Sequence, residues 1–220
     1  MDENIITTGD HSPTYFSGTF NAHYHSVHGA WTETETVFIK AGLDYLSPAR
    51  SHIDILEIGF GTGLNAFATL LRCHEKLNVS FTSLEKFPLS YESACDYALK
   101  LNIDKDQQQL FERLHRSPWE SFTDINACFK LRKHRIDFLE YRTEESFDLI
   151  YFDAFAPETQ PELWDLPFFT YLFGLLRPGS ALTTYCAKGY VKRNLRSAGF
   201  TVESLPGPPG KREMTRAIKE

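Results

Sequence analysis

The chain has 220 residues, enough for one well-packed domain and marginal for two, and its 42% hydrophobic content is that of an ordinary soluble globular protein. No apolar run approaches the roughly 20 residues that span a bilayer, and MDENIITTGDHSP lacks the basic start and apolar core of a signal peptide, so a cytoplasmic protein without membrane association is expected. The net charge of −6 argues against a general nucleic-acid coat, although eight Lys or Arg stand against three Glu from Cys186 to the C-terminus, which leaves a local basic face for phosphates or simply a solvated surface.

In chain order, residues 1–13 read as a loose lead-in, and TYFSGTFNAHYHS as short strands or an ordered loop. ETETVFIKAGLDYL predicts a helix with Val37, Phe38, Ala41 and Tyr45 near one face. Strands and helices then alternate: IDILEIGF, then the helix LNAFATLLRCHEKL; VSFTSLEKF, then SYESACDYALKLN. FKLRKHRIDFLEY reads as a third strand with its exit loop and SFDLIYFDAF as a fourth. The helix LPFFTYLFGLL stops at Arg177-Pro178-Gly179, ALTTYCA is a fifth strand, and YVKRNLRSAG a short helix ending on Gly199. TVESLP and REMTRAIK flank a GPPG turn and predict a closing hairpin. The alternation predicts an α/β open sheet, mostly parallel, with an antiparallel C-terminal edge. Ligands of such sheets bind outside the carboxyl ends of the strands. The glycine-rich turn after strand one, Glu85, Asp137 and Asp153 are therefore expected around one crevice.

Cys73, Cys95, Cys128 and Cys186 are widely spaced with no CxxC pair, so buried or indifferent thiols are expected rather than a disulfide framework or zinc ribbon. His23, His25 and His28 lie close together, but no partner set matches a common metal site, and no metal is expected.

ILEIGFGTGLNAF places Gly59, Gly61 and Gly63 between a buried strand and a helix. Glycines let the backbone approach a ligand, and the helix N-terminus offers free N–H groups. The third glycine comes one residue too early for the dinucleotide fingerprint, and the absence of Gly-Lys-Ser/Thr excludes a P-loop. An acid, Glu57, before three glycines on alternate positions is the pattern of class I S-adenosylmethionine methyltransferases; a tight turn without ligand is the alternative. Glu85, 22 residues beyond Gly63 at the end of strand two, suits both ribose hydroxyls of an adenosyl group, or else is a surface acid beside Lys86. Asp137 stands either near the adenine or in a solvent-facing loop. Asp153 ends an apolar strand abruptly; such an acid either meets the acceptor of a group transfer, an amine above all, or caps the following turn.

Three blocks carry a resemblance: GFGTGLN with LEKFP; DAFAPETQPELW; and GYVKRNLRSAGF followed by GKREM. From TYFSGTFN to GKREMTRAI the chain resembles the MnmC-type methyltransferase domains that act on tRNA wobble uridines. The resemblance implies a class I, Rossmann-like fold with a mostly parallel seven-stranded sheet, single-domain overall, with residues 1–50 an N-terminal extension on a core of 51–220. It implies N-methylation of the 5-aminomethyl group of wobble uridine to 5-methylaminomethyl-(2-thio)uridine, with S-adenosylmethionine as donor. Glu57, Gly59, Gly61, Gly63, Asn65, Glu85 and Asp137 would then contact the cofactor, and Asp153 would stand beside the acceptor amine. Lys211 and Arg212 would lie near the tRNA backbone or the site's rim.

The chain has no room for the flavin-dependent oxidase of the two-domain relatives, so no flavin is expected, and CAKG departs from the small-residue run usual at that position. The partner would be the tRNA anticodon loop, with no obligate protein partner, and an unstacked base would enter a pocket lined by aromatics. Tyr15, Phe16, Tyr24, Phe155 and Trp164 are the candidates, core packing being their default role. An aminopropyltransferase-like enzyme or another small-amine transferase, and a non-catalytic S-adenosylmethionine-binding module, are the alternative readings.

Overall fold

A computed structural model describes residues 4–220. Its centre is an eight-stranded sheet in the order β10-β11-β9-β8-β4-β5-β7-β6. The parallel body is β4 (His52–Ile58), β5 (Asn78–Glu85), β7 (Phe129–Arg135), β8 (Phe147–Phe152) and β9 (Leu176–Thr184). The C-terminal hairpin of β10 (Thr201–Pro206) and β11 (Glu213–Lys219) adds antiparallel to β9, and the two-residue β6 (Thr123–Asp124) adds an eighth strand beyond the expected seven at the other edge. Among the described residues no helix is long and apolar enough to cross a membrane.

Successive strand side chains point to opposite faces, and the two hydrophobic cores follow that parity. Ile53, Ile55, Phe81, Leu149 and Tyr151 belong to the core under α3 (Leu64–Arg72), α4 (Tyr91–Lys100) and α5 (Lys105–Arg116). Leu56, Ile58, Ile150 and Phe152 belong to the core under α6 (Leu166–Leu175) and α7 (Gly189–Ser197). The same parity carries Glu57, Glu85 and Asp153 toward the α3 face at the carboxyl ends of their strands. The chain runs outward through β4, β5 and β7, then returns to place β8 on the other side of β4. The crevice between β4 and β8 is thus the point where strand order reverses, the usual ligand position of such sheets.

Several elements depart from the sequence expectation. The lead-in is ordered: β1 (Asn4–Thr7) pairs with β2 (Pro13–Ser17), which pairs with β3 (Ala22–His23). Between β1 and β2, Asp10 accepts hydrogen bonds from Thr8 Oγ1 at 2.8 Å and from Thr32 N and Oγ1 at 2.7 Å each. Burial works to raise the Asp10 pKa, but these bonds and those of Ser12 outweigh it and hold the carboxylate well below its ordinary range. This small sheet rests on α4, where Tyr97 donates to Pro13 O at 2.9 Å.

The first helical run starts earlier than expected and is not α-helical throughout. It is α1 over Ala30–Thr34, a wider π-wound stretch over Glu35–Leu43, and α2 over Asp44–Leu46. The change of winding turns Tyr45 off the buried face: it is 42% exposed, with the Arg216 guanidinium 3.7 Å from its ring centroid. Helix α5 was absent from the sequence expectation. Its surface is Gln- and charge-rich, but Asp104 and Gln107 form a reciprocal capping box, and Phe111 and Leu114 are buried. Lys133, buried on β7, closes the helix's far end by donating to Leu114 O at 2.8 Å and His115 O at 2.9 Å. Finally, β9 begins at Leu176, so Arg177-Pro178-Gly179 lies inside the strand, at a register irregularity against β8.

Candidate active site

The turn from β4 to α3 supplies the backbone of the site. Gly59 N and Phe60 N donate to Leu84 O at 3.0 and 3.1 Å, stitching the turn to β5. A Cβ on Gly59 would stand 2.9 Å from Asp153 O, and one on Gly61, whose φ is +50°, would stand 3.0 Å from the Tyr24 ring. At Gly59 the neighbour is backbone and leaves no room, and both residues take a positive φ, +98° at Gly59, that favours glycine. Gly63 is the residue before the first turn of α3.

A cavity of about 280 Å³ opens over this turn. Gly59, Gly61, Glu85 and Asp153 line its floor; Tyr24 and Phe155 are among its walls. Glu85 is 6% exposed and takes Gly61 N at 2.9 Å on one oxygen and Phe87 N at 2.7 Å on the other. Burial raises its pKa against those backbone donors. Each oxygen keeps a second lone pair for a ligand hydroxyl. Asp153 stands across the turn. Asn65 Nδ2 donates to its Oδ2 at 2.8 Å, and Asn65 Oδ1 in turn accepts from Thr34 Oγ1 at 2.8 Å. Burial, and then the negative charge of Glu33, push the Asp153 carboxyl up to about 7, while Asn65 and Lys211 oppose the rise. An acid poised there exchanges a proton near neutrality.

Glu57 is 0% exposed and lies behind the floor, accepting from Ser83 Oγ at 2.5 Å. Its pKa is raised well above the ordinary range, by burial first. A neutral acid there supports the turn from behind. Two buried histidines pack against the same turn: His25 Nε2 lies 2.7 Å from Thr62 Oγ1, and His115 donates from Nε2 to Thr62 O at 3.0 Å. Burial lowers them to about 4 and about 3, so both rings are neutral at ordinary pH.

The expected residues separate into those at the cavity and those elsewhere. Gly59, Gly61, Glu85, Asp153, Tyr24, Phe155 and Lys211 line it; Gly63, Asn65 and Glu57 stand behind them. Asp137 instead pairs with Lys86 and accepts Leu139 N at 3.0 Å, while its neighbour Phe138 lines the wall. Trp164 is 0% exposed: its ring packs on Phe152, and its Nε1–H donates to Phe155 O at 2.9 Å. It supports the loop after β8 from beneath rather than facing the cavity. Of the other aromatic candidates, Tyr15 is buried and donates to Ser93 O, and Phe16 packs edge-on against His23. His23 and His25 line the cavity and His28 is exposed; among the described residues no group of three His, Cys, Asp or Glu could hold a metal. Lys188 of CAKG pairs with Glu158 on the loop after β8.

Besides Phe87 and Phe138, the wall residues that escaped the sequence reading include Glu33, Tyr185 and Phe20. Glu33 sits four residues before Val37 on the buried side of its helix, and an acid on an apolar stripe is a legible signal. Tyr185 continues the parity of Ala181 and Thr183 to the tip of β9, where its hydroxyl donates to Ala154 O at 2.9 Å. Phe20 stacks on Phe155 at 4.4 Å between ring centroids, and only the hairpin fold of β2 and β3 brings it there.

The basic C-terminal segment is largely consumed within the fold. Lys192 bonds Glu213 and Ser204 at 2.7 Å each, Arg216 bonds Glu203 at 2.7 Å, Lys219 bonds two carbonyls at the end of α6, and Lys211 pairs with Glu33. The side chains of Arg193, Arg196 and Arg212 are exposed, and no ion pair holds them among the described residues.

Residues 109–220 match a family of S-adenosyl-L-methionine-dependent methyltransferases. The whole chain is similar to the tRNA 5-methylaminomethyl-2-thiouridine biosynthesis bifunctional protein MnmC of Cupriavidus metallidurans, at 31% identity over 96% of this chain and 33% of that protein. It is similar to the protein of the same name from Aromatoleum aromaticum, at 33% identity over 96% of this chain and 34% of that one. The chain thus spans about a third of the length of the curated relatives it matches. Among solved structures it is similar to MnmC2 from Aquifex aeolicus, with a TM-score of 0.81 at 26% identity over 99% of this chain and 70% of that one. Spermidine synthase from Thermotoga maritima, with a TM-score of 0.61 at 14% identity over 98% of this chain and 67% of that one, shares the fold.

Proposed function

The chain belongs to the S-adenosyl-L-methionine-dependent methyltransferase family, and we propose that it methylates the 5-aminomethyl nitrogen of the wobble uridine in a tRNA anticodon, giving 5-methylaminomethyl-(2-thio)uridine. The observation that carries this reading is the position of Asp153. Its carboxyl, held by Asn65 and raised to about 7 by burial, lies beside the glycine turn at the reversal between β4 and β8. The names of the relatives supply the acceptor: an amine on a tRNA uridine.

The residues present fit S-adenosylmethionine. The turn admits no Cβ at Gly59 or Gly61, and Glu85 presents two buried oxygens beside it. Glu85 would hold the ribose hydroxyls, Phe87 and Phe138 would flank the adenine, and the turn and the first residues of α3 would face the methionine end. When bound, S-adenosylmethionine would supply a sulfonium-activated methyl group with a neutral thioether as leaving group, so that the C–N bond gained is matched by the C–S bond lost. Asp153 holds the N–H hydrogens of the acceptor, aims its lone pair, and takes the proton released once the nitrogen has become a secondary ammonium. Tyr185, kept protonated by burial, fixes the loop after β8 through Ala154 O. Proximity and alignment are the larger part of the enzyme's contribution.

The target base would leave the anticodon stack and enter between Phe20, Tyr24 and Phe155. Arg193, Arg196 and Arg212 would meet phosphates. In an aminopropyl transfer to a polyamine, several free acids would have to receive a polycation; here the second acid at Asp153, Glu33, is already bound to Lys211, which favours the nucleoside amine. The test is incubation with labelled S-adenosylmethionine and tRNA carrying 5-aminomethyl-(2-thio)uridine, followed by nucleoside mass spectrometry. A gain of one methyl on that nucleoside is expected; S-adenosylmethionine binding with no nucleoside gaining mass would overturn the acceptor.

A further inference from the structure

We propose that Lys211, anchored by Glu33, is the positioning cation of Asp153: a fixed positive charge in the cavity wall that admits the acceptor amine as free base and keeps Asp153 anionic to receive its proton. The inference rests on the methyl-transfer reading above and assigns Lys211 to the reaction rather than to the tRNA backbone.

Lys211 comes from the loop between β10 and β11, which is held shut by Gly207 N to Arg212 O at 3.2 Å and Lys211 N to Pro208 O at 2.9 Å. The loop delivers the ammonium inward, into the wall of the cavity that holds Asp153. There it pairs with Glu33 and lies 3.8 Å from the centroid of the Tyr185 ring. Glu33 is 5% exposed, and its other oxygen accepts Ser26 N at 2.9 Å. The cation is therefore held on two sides, by a locked carboxylate and by an aromatic face, with its side chain 31% exposed.

This placement answers a chemical difficulty. A carboxylate beside an amine stabilises the ammonium form, and an ammonium has no lone pair to attack a methyl group. A cation fixed in the same wall opposes that effect, because bringing a second positive charge beside it in a partly desolvated pocket is unfavourable. The groups around Asp153 are Glu57 on β4, Asn65 on α3, Glu33 on α1, Tyr185 after β9 and Lys211, with neutral His25 beside Glu33. Lys211 is the one cation in this set. Burial and then Glu33 raise the basicity of Asp153, and Lys211 opposes them, leaving the carboxyl at about 7, where it can both give up and take a proton near neutrality. After the C–N bond forms, the proton leaves the new secondary ammonium for Asp153 and from there passes to solvent.

The experiment pairs two readouts on Lys211→Met, Lys211→Arg and Glu33→Gln. The first is titration of the Asp153 carboxyl in the protein alone, by carbon NMR of aspartate-labelled chain with Asp153→Asn for assignment. The second is the pH profile of kcat/KM for methyl transfer to tRNA. Lys211→Met is expected to move the Asp153 titration and the acid limb of the profile upward by ~1 pH unit. Glu33→Gln should move both downward, and Lys211→Arg should restore the original position. If Lys211→Met leaves the titration where it was and instead lowers tRNA affinity with a flatter salt dependence, Lys211 is a phosphate contact and the inference falls. A moved titration with no methyl transfer by any variant, wild type included, would instead overturn the proposed reaction and leave the charge coupling standing.

Discussion

Asn65 and Asp153 are joined by a single hydrogen bond of 2.8 Å, and the direction of that bond is set elsewhere: Thr34 donates to the carbonyl end of the same amide, so only the NH2 end can face the carboxylate. Asn65→Ala should leave S-adenosylmethionine affinity within a few-fold and lower kcat about 10–100-fold, because Asp153 would lose its orientation. Asp153→Ala should reduce kcat by roughly 10²–10⁴-fold, with the donor still bound. Single-turnover assays beside calorimetric donor titrations separate the two quantities. Unchanged turnover in Asp153→Ala would remove that residue from the reaction.

In the proposed reaction Glu85 acts on the donor side. Glu85→Ala removes an acceptor for two hydroxyls and should weaken S-adenosylmethionine binding by about 1–3 kcal/mol. Glu85→Gln should lose less, since the amide oxygen still accepts. A calorimetric titration of Glu85→Ala with wild-type affinity would place the ribose elsewhere.

Acid should destabilise the protein through its buried histidines. His25 and His115 titrate at about 4 and about 3 in the fold, against 6.5 in the unfolded chain. As pH falls from 6.5 through those values the unfolded chain binds more protons, and stability drops by up to ~1.4 kcal/mol per pH unit for each ring. Asp153 works oppositely: raised from 3.8 to about 7, it favours the folded state at low pH and costs stability as pH climbs through that window. Urea denaturation between pH 4 and 8 should show His115→Phe flattening the acid side. Asp153→Asn should raise stability at pH 8 more than at pH 4. An unchanged acid slope in His115→Phe would mean that the ring is not buried neutral.

The salt dependence of tRNA binding should come from few residues. Arg193→Ala, Arg196→Ala and Arg212→Ala should each reduce the slope of log K against log salt by up to about one. Lys192→Ala and Lys219→Ala should not, because those cations are occupied inside the fold. Filter-binding or fluorescence titrations at several ionic strengths distinguish the two sets.

Much of this was legible in the residues. The alternation of strands and helices gathered the glycine turn, Glu85 and Asp153 at the carboxyl ends of the strands, and they line one cavity; Asp137, expected with them, pairs with Lys86 instead, because a loop acid beyond the strand is not held by the sheet. The glycine turn was legible from its spacing, which excluded other phosphate and dinucleotide loops. The sequence makes Trp164 a wall candidate with core packing as its default, and the default holds: its ring packs on Phe152. Lys211 and Glu33 are 178 positions apart, and nothing local connects them. Helix α5 was hidden by its polar surface, though Asp104 and Gln107 marked its start.

The seam between β4 and β8 has a mechanical consequence. Asp153 N donates to Ile58 O at 3.1 Å, and a Cβ on Gly59 would touch the Asp153 carbonyl. The glycine turn and the loop after β8, the proposed supports of donor and acceptor, are therefore neighbouring strand ends tied by a backbone hydrogen bond. In the proposed reaction the distance between the two reactants would thus be set by the pairing of two strand ends rather than by a mobile loop.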